Sequence, residues 1–296
     1  MPRLLLVSFG FLLAAGFVVS AEPKVDIFAK DNLVAWCIVP FDKKNRSPVE
    51  RADMLARLGF KRFAYDWRAA HLPTFDEEVR ELQKRGIELT AVWFPANLGP
   101  DARALLEVIA KHKLTPQLWV NLPAPKADSQ DAKVEAAAKV LQPIAAEAGK
   151  LGCKVAIYNH GGWPGEPENQ LAIIDKLKLP NVGIVYNQHH GHAHLERFPM
   201  LLKAMMPHLM ALNLNGMTAK GDTIGKKILP LGEGDLDSTL LKTIRDSGYR
   251  GLIGILGHTN DDAEERLRDN LDGLAWLLKN LDGQAAGPKP IWRTYK

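Results

Sequence analysis

The sequence predicts an α/β protein that forms a single (β/α)8 barrel over residues 22–296. Short apolar segments bounded by Gly and Pro alternate eight times with helix-like segments, which is the pattern of repeated strand–helix units. The length is close to the ~250 residues of a typical barrel. A doubly wound open sheet is the alternative. That fold usually carries a Gly-rich phosphate loop after its first strand, where this chain has Ile38-Val-Pro-Phe-Asp42.

The N-terminal segment differs from the rest of the chain. A basic start is followed by an apolar run over residues 4–19 and by the small residues Val19-Ser20-Ala21. These features predict a secretory signal peptide over residues 1–21, and therefore a periplasmic or secreted mature protein. The apolar run is short for a membrane span, and polar residues follow it directly. A retained N-terminal anchor is the alternative.

The eight units can be placed one after another along the chain. The predicted strands cover residues 32–39, 61–65, 87–94, 115–120, 155–157, a segment beginning at 182, 209–215 and 251–256. Capping boxes at Ser47-Pro48-x-Glu50 and Thr74-x-x-Glu77 predict the starts of the first two helices. The remaining helices are predicted over residues 100–113, 131–151, 167–177, 195–206, 237–246 and 261–281. Residues 216–234 are predicted as an irregular loop, and residues 283–296 as a tail.

Composition excludes several classes of function. The 38 Lys and Arg nearly balance the 34 Asp and Glu, and no basic cluster stands out. Nothing therefore indicates nucleic acid or an anionic membrane as a partner. The two cysteines, Cys37 and Cys153, lie in or beside apolar strands that are far apart in the order of elements. We expect buried free thiols rather than a disulfide.

Polar residues follow the strands where parallel α/β proteins bind ligands. Because side chains alternate along a strand, the apolar residues Met210, Leu212 and Leu214 face the outer helices, which turns Asn213 and Asn215 inwards. The same rule directs inwards Gln117, Trp119 and Asn121 of the fourth strand, Tyr158 and His160 of the fifth, Asn187 and His189 of the sixth, and His258 of the eighth. The sequence therefore predicts one site at the carboxyl ends of the strands.

Each of these residues also has a structural interpretation. A single histidine at a strand end is more often a hydrogen-bonded structural residue than a catalyst, and Asn213 and Asn215 could satisfy one another. Five of the nine histidines, however, lie at the predicted rim: His160, His189, His190, His192 and His258. Trp67, Trp93, Trp119 and Trp163 lie near strand ends, where an indole either stacks on a sugar ring or packs beneath the helices.

Three motifs resemble a known family. They are Tyr158-Asn-His-Gly161, Asn187-Gln-His-His190 and Leu231-Gly-Glu-Gly-Asp-Leu-Asp237, the last ahead of a Gly-rich strand. The order is similar to that of the xylose isomerase-like TIM barrels, the sugar phosphate isomerase/epimerase superfamily, across nearly all of residues 22–296. The resemblance implies an isomerase, epimerase or dehydratase of sugars or polyols. It also implies a divalent metal bound by Glu, Asp, His and Glu on strands five to eight.

This chain departs from that metal-ligand set. The four usual ligands fall on Tyr158, Asn187, Asn213 and Leu256, which do not supply the anionic oxygens that a hard divalent ion prefers. The resemblance therefore predicts the fold and the class of chemistry, with the usual metal site replaced. The cofactor stays open, because the five rim histidines are numerous enough to bind Zn²⁺ or a similar ion.

Two classes of function follow. In the first, the protein is an exported carbohydrate enzyme in which a His or a carboxylate moves a proton next to a carbonyl while Asn amides hold the oxygen. The candidate proton-transfer residues are His160, Glu233, His189 and His258, with Glu166 as a further carboxylate. The candidate substrate-binding residues are Asp66, Trp93, Trp119, Asn121, Tyr158, Asn187, His190, Asn213 and Asn215. In the second, the barrel binds a sugar without chemistry. A glycoside hydrolase is a third interpretation, which needs two carboxylates facing each other.

Overall fold

The computed structural model describes residues 26–295 and shows a closed barrel of eight parallel strands. The strands are β1 (Leu33–Trp36), β2 (Arg62–Tyr65), β3 (Glu88–Phe94), β4 (Gln117–Val120), β5 (Lys154–Tyr158), β6 (Val182–Asn187), β7 (Leu209–Leu214) and β8 (Leu252–Leu256). Each pairs with the next, and β8 pairs with β1. The predicted single-domain (β/α)8 barrel is therefore confirmed, and the doubly wound alternative was wrong.

Helices alternate with the strands and cover the outside of the barrel. They are α1 (Pro48–Leu58), α2 (Phe75–Lys84), α3 (Pro100–Lys111), α4 (Gln130–Lys150), α5 (Gly162–Gly165), α6 (Pro167–Leu177), α7 (Phe198–Met205), α8 (Asp237–Asp246) and α9 (Ala263–Leu281). None of the helices within residues 26–295 has the length and apolar character needed to cross a membrane. The predicted signal peptide, residues 1–21, lies outside the described residues.

Local sequence explains most helix ends, with two corrections. Ser47 and Glu50 form the predicted capping box of α1, and Gly59 ends the helix with a φ of 75°. The second capping box was wrong, because the hydroxyl of Thr74 donates to the carbonyl of His71 and no side chain caps α2. The helix predicted over residues 195–206 is shorter. Two 3-10 turns occupy residues 188–197, and α7 begins only at Phe198.

Two layers of buried side chains hold the barrel together. The larger layer lies between the strands and the helices, and the smaller one fills the barrel interior. The interior layer consists of Val34, Trp36, Cys37, Ala64, Ala91, Trp119, Ala156, Tyr158, Val185, Ala211 and Leu256. Strand parity thus placed Trp119, Tyr158 and the small residues correctly. Four alanines at interior positions leave the space that two indoles and a phenol occupy.

Both cysteines are buried and free, as predicted. Cys37 follows β1 with a φ of 58°, a left-handed conformation that is uncommon for a residue with a Cβ. A strained backbone at the carboxyl end of a barrel strand is a feature that often accompanies a functional site.

Candidate active site at the carboxyl ends of the strands

Four imidazoles meet at the mouth of the barrel, and we refer to His160, His189, His190 and His258 as the histidine cluster. The ring centroids of His189 and His190 are 3.7 Å apart, and those of His160 and His190 are 4.4 Å apart. His258 lies 5.7 Å from His189 and stacks on Phe41 at 3.8 Å. Loops after β5, β6 and β8 therefore deliver these rings to one place.

The ends of β5 and β6 are joined by the Asn159 side chain, which makes both hydrogen bonds that a paired backbone would make. The carboxamide of Asn159 accepts a hydrogen bond from the Asn187 N–H at 2.7 Å and donates to the Asn187 carbonyl at 3.1 Å. This clamp holds the residue before His160 against the residue that begins the 3-10 turn of His189 and His190. Asn159 is thus a positioning residue within the Tyr-Asn-His motif, a role that the sequence did not predict.

Burial and positive charge keep the histidine cluster neutral. Burial, with neighbouring His160 and Lys227, lowers the pKa of His190 to about 3, and burial with Arg68 lowers that of His258 to about 4. Burial also lowers the pKa of His189 well below its usual value, and that of exposed His160 to a smaller extent. At neutral pH the cluster therefore offers proton acceptors, which is the form that a general base needs.

Aromatic rings form the floor of the mouth. The ring of Trp93 lies 5.0 Å from Tyr158 and 6.1 Å from both Trp36 and His160. Trp93 is partly exposed, so its face remains available to a ligand. Trp119 was predicted to bind substrate, but it is fully buried beneath Trp36 at 4.6 Å. It shapes the floor without reaching the open mouth.

Several buried polar groups beside the histidine cluster have no hydrogen-bond partner within the described chain. Both side-chain polar atoms of Asn187, Asn213 and Gln188 are in this state, as are both ring nitrogens of His189. Asn187 and Asn213 are register partners on β6 and β7. Buried polar groups are rarely left unpaired, because each costs roughly 1–3 kcal/mol. A hydroxylated ligand would supply the missing partners.

A glycine on β8 makes room for one of these amides. A Cβ on Gly254 would lie only 1.7 Å from Oδ1 of Asn213, its register partner on β7. The absent side chain lets the Asn213 carboxamide extend across β8 into the barrel. Asn213 and Asn215 do not satisfy one another. Instead, the Nδ2 group of Asn215 donates to the carbonyl oxygens of Gly216 and Lys227, while its Oδ1 has no hydrogen-bond partner among residues 26–295, so its binding role stays a prediction.

The carboxylate of Asp66 is buried at the end of β2, beside the thiol of Cys37. Burial raises the pKa of Asp66 to about 6, although the N–H of Val39 donates to it at 3.1 Å. Burial and Asp66 together raise the pKa of the Cys37 thiol. Asp66 is 1% exposed, so contact with a ligand passes through its neighbours. Asn121, another predicted binding residue, is half-buried directly after β4 and makes none of the ring contacts described above.

The two other predicted carboxylates are engaged elsewhere. Glu233 accepts hydrogen bonds from Trp292 at 2.8 Å and Lys289 at 2.6 Å, both in the C-terminal tail. Its partial burial raises the pKa, but these two contacts outweigh burial and lower it. Glu166 pairs with Arg197 at 2.9 Å and His194 at 3.2 Å. Both carboxylates are therefore held by structural contacts, and the proton-transfer role of Glu233 stays a prediction.

The other rim residues have structural contacts as well. The Nε2 atom of His192 is 3.0 Å from the Lys227 carbonyl, and Trp163 donates to Gln130 at 2.8 Å. Trp67 packs in the outer layer and donates to the Trp93 carbonyl at 2.7 Å. His192 thus lies beside the histidine cluster and holds the loop after β7. Neither Trp67 nor Trp163 offers a free face to the mouth.

Sequence reasoning missed two cations at the mouth. The guanidinium of Arg68 lies 5.4 Å from the ring centroid of Phe41 and 5.8 Å from that of Trp93. Lys227 lowers the pKa of every member of the histidine cluster. Arg68 follows β2 directly, so the rule of strand ends that selected Asp66 could also have found it. Lys227 comes from the irregular loop after β7, where no periodicity indicates direction.

The described residues do not fit the divalent metal that the resemblance implies. Residues 26–295 contain no group of three or more His, Cys, Asp or Glu arranged to hold a metal ion. The side chains that the resemblance aligns with the usual ligands on β5 to β7 are those of Tyr158, Asn187 and Asn213, which are neutral groups. A hard divalent ion prefers carboxylate oxygens. We therefore derive no catalytic step through a metal.

Solved structures share this barrel. The 3-keto-D-glucoside 4-epimerase YcjR from E. coli superposes with a TM-score of 0.62 at 16% identity, over 84% of this chain and 100% of that one. D-psicose 3-epimerase from Clostridium cellulolyticum gives 0.59 at 14%, over 85% and 98%. The probable 3-DHS dehydratase AsbF from Bacillus anthracis gives 0.64 at 13%, over 82% and 98%. At such identities these likenesses establish the fold alone.

Sequence comparison identifies the family. No curated protein matches the chain at a significant level. The family profile described as xylose isomerase-like TIM barrel matches residues 52–280, which run from α1 into α9 and include β2 to β8. The resemblance that the three motifs suggested is thereby confirmed, and the chain belongs to the xylose isomerase-like TIM barrel family.

Proposed function

We propose that the protein is an exported enzyme of the sugar isomerase or epimerase type. It would move a proton next to a carbonyl of a sugar, keto sugar or related polyol. One observation carries the proposal: the turn that holds His189 and His190 of the neutral histidine cluster follows directly on Asn187, whose buried side-chain amide, like that of its register partner Asn213, has no hydrogen-bond partner among residues 26–295. The first group accepts protons, and the second donates hydrogen bonds to oxygen.

His160 is the member of the histidine cluster best suited to act as the base. It is the exposed one, so a substrate can reach its ring, whereas His189 is 1% exposed. In this mechanism the imidazole takes the proton from the carbon beside the carbonyl, and the carbonyl oxygen gains negative charge. Amide N–H groups of Asn187 and Asn213, which are 0% and 1% exposed before a ligand binds, would be uncovered by the bound sugar and would then stabilise that oxygen. Return of the proton to the former carbonyl carbon, with transfer of the adjacent hydroxyl proton to the enolate oxygen, isomerises the sugar. Return to the opposite face of the original carbon re-forms the carbonyl and epimerises the sugar.

Similar structures support the class of chemistry. Two of the solved structures are named as epimerases acting on a 3-keto-glucoside and on D-psicose, and a third as a probable dehydratase. We propose that this chain carries out related chemistry without the divalent metal, because Tyr158, Asn187 and Asn213 occupy positions where the resemblance expects metal ligands. The carbonyl oxygen would then be polarised by amides rather than by a cation.

Substitution of His160 tests the proposal. The wild-type protein is incubated in D2O with D-fructose, D-psicose, D-tagatose and a 3-keto-glucoside, and proton NMR follows loss of the signal beside the carbonyl. His160→Ala should slow this exchange by ~10²–10⁴, the usual cost of losing a proton-transfer group. Because His160 is exposed, the variant should unfold within ~0.5 kcal/mol of the wild type.

A histidine outside the mouth provides the matched control. His208 precedes β7 at the amino end of the strands, so His208→Ala should leave the exchange rate unchanged. Full exchange in His160→Ala would refute the role of this residue. Stoichiometric Mn²⁺ or Mg²⁺ that is needed for exchange would refute the metal-independent mechanism.

A sugar-binding barrel without chemistry is the second candidate. It is favoured by the contacts that Glu166 and Glu233 make elsewhere, because neither of these two carboxylates then pairs with the histidine cluster. Because Glu166 and Glu233 make these contacts, they do not form the facing pair of carboxylates that a glycoside hydrolase needs. Saturable binding of a keto sugar by calorimetry, with no proton exchange for any tested sugar, would identify the binding protein.

Export is proposed from the N-terminal sequence alone. Native protein recovered from the periplasm or medium should lack residues 1–21 and begin at Glu22, since Val19-Ser20-Ala21 fits cleavage by signal peptidase after Ala21. N-terminal sequencing that starts at Met1 or Pro2 would refute it.

A further inference from the structure

The mouth of the barrel carries a guanidinium without an acidic partner. Nη1 of Arg68 donates to the carbonyl oxygens of Asp66 at 2.9 Å and Trp67 at 2.8 Å, which fixes the guanidinium over Phe41 and Trp93. No carboxylate within residues 26–295 forms an ion pair with it. Buried Arg51, by contrast, is paired with Glu78 at 3.0 Å. Arg68 is exposed, so its remaining N–H groups face the mouth or solvent.

A second cation reaches the same place from the loop after β7. The Lys227 carbonyl accepts hydrogen bonds from Asn215 at 3.4 Å and lies 3.0 Å from Nε2 of His192, which fixes its backbone beside the mouth. Its ammonium acts on the whole histidine cluster, and within the described chain it has no ion-pair partner. The preceding Lys226 acts instead on Glu233. The two adjacent lysines therefore act on different ionisable groups, Lys227 on the histidine cluster and Lys226 on Glu233.

The mouth is positively charged. Arg68 and Lys227 contribute two positive charges, and the buried carboxylate of Asp66 offsets at most one of them. A ligand with a negative charge fits such a site, and one carboxylate is the smallest negative charge that balances it. A planar guanidinium also presents parallel N–H groups that match a carboxylate.

We propose that the site takes sugars or polyols that bear one carboxylate, with Arg68 and Lys227 holding the carboxylate and the histidine cluster facing the reacting carbon. The proposal names the substrate class of the proposed function and rests on it for the chemistry, but not for binding. The two cations also lower the pKa of the histidines. A bound carboxylate offsets their charge, which raises these pKa values and makes the imidazoles stronger bases.

Matched pairs of sugars test this directly. Calorimetry at low salt measures binding of D-glucuronate against D-glucose and of D-galacturonate against D-galactose, with D-glucose 6-phosphate as the dianionic probe. In the wild-type protein the better uronate should bind at least roughly tenfold more tightly than its neutral partner, and more tightly than the phosphate ester. Arg68→Gln should abolish this preference, and Lys227→Gln should reduce it.

Lys226→Gln is the matched control, and its binding should equal that of the wild type. Equal affinity for uronates and neutral sugars, or the absence of saturable uronate binding, would overturn the proposal. Tighter binding of D-glucose 6-phosphate would overturn the choice of carboxylate. Uronate binding without any proton exchange would instead refute the proposed function and leave the substrate class standing, so the two failures are distinguishable.

Discussion

Two polar segments of this barrel look alike in sequence but differ in structure. The first comprises the histidine cluster and the ends of β5 and β6, where the side-chain amides of Asn187 and Gln188 are buried and have no hydrogen-bond partner in the part of the chain that the structure describes. The second is the loop between β7 and α8, residues 215–236, which contains the Gly-Glu-Gly-Asp motif. There the carboxylate of Asp237 accepts hydrogen bonds from the N–H groups of Met217, Gly232 and Gly234 at 2.6, 2.7 and 3.1 Å.

The difference shows how to separate binding from scaffolding. In the loop after β7, the carboxylate of Asp237 is satisfied by backbone N–H groups, and Gly234 is needed because a Cβ there would lie 2.3 Å from the Met217 backbone. At the histidine cluster, the side chains of His189, Asn187 and Gln188 are buried and have no hydrogen-bond partner among residues 26–295. Satisfied polar groups stabilise the chain, whereas unsatisfied ones reduce stability unless a ligand pairs with them. The four predictions below test this contrast, from the largest expected effect to the smallest.

Removing the acceptor at the centre of the loop should have the largest effect. Asp237→Ala leaves three backbone N–H groups without their partner, at least two of them buried. The free energy of unfolding in urea should fall by about 3 kcal/mol or more. Asp235→Ala is the control, since Asp235 is exposed and accepts one hydrogen bond from Thr218, and it should cost under ~1 kcal/mol. Equal losses in the two variants would contradict the contrast.

Two asparagines at the ends of β5 and β6 should respond in opposite directions. Asn159→Leu removes both hydrogen bonds to the Asn187 backbone and should destabilise the protein by ~1–3 kcal/mol. Asn187→Leu removes an unpaired buried amide, so it should leave stability unchanged or raise it by ~1 kcal/mol while abolishing ligand binding. Urea unfolding measures both. A large loss of stability in Asn187→Leu would show that the amide has a structural partner.

The histidine cluster should make stability depend on pH. The pKa of His190 is about 3 in the folded chain against 6.5 in the unfolded chain, so acid protonates the unfolded state first. Protonation of His190 therefore does not reduce the free energy of unfolding above pH 6.5, and it reduces it progressively as the pH falls from 6.5 towards 3. Relative to wild type, His190→Gln should gain up to ~1.4 kcal/mol per pH unit in this window. A difference that does not change with pH would contradict the lowered pKa.

Removing the exposed cation should have the smallest effect. Lys227→Gln should raise the pKa of His160, His190 and His258, because the ammonium lowers each of them. For an exposed charge the rise should be about half a pKa unit or less. Imidazole resonances followed by NMR titration measure it, and Lys226→Gln should produce no change. A rise of equal size in both variants would mean that only net charge matters.

Strand periodicity predicted the site better than motif similarity did. It predicted that six side chains face one mouth, because alternation along a strand and parallel pairing determine the direction of each side chain. They are those of Tyr158, His160, Asn187, His189, Asn213 and His258. The Gly-Glu-Gly-Asp motif indicated the family and Glu233, but it did not predict the contacts that Glu233 makes, since residues of irregular loops have no period to orient them. The contacts of Glu233 with Trp292 and Lys289 join segments more than fifty residues apart, and no local pattern records such contacts.

The sequence by itself determined the barrel, its element order, the inward-facing residues and the family, because these depend on local hydrophobic patterns and short motifs. Only the tertiary structure decided which polar groups remain unpaired, which carboxylates are consumed by ion pairs, and that Arg68 and Lys227 meet the histidine cluster. The physical reason is that pairing, burial and charge are properties of neighbours in space. The chain brings those neighbours together from β2, β5, β6, β8 and the loop after β7, and only the closed sheet fixes the distances between them.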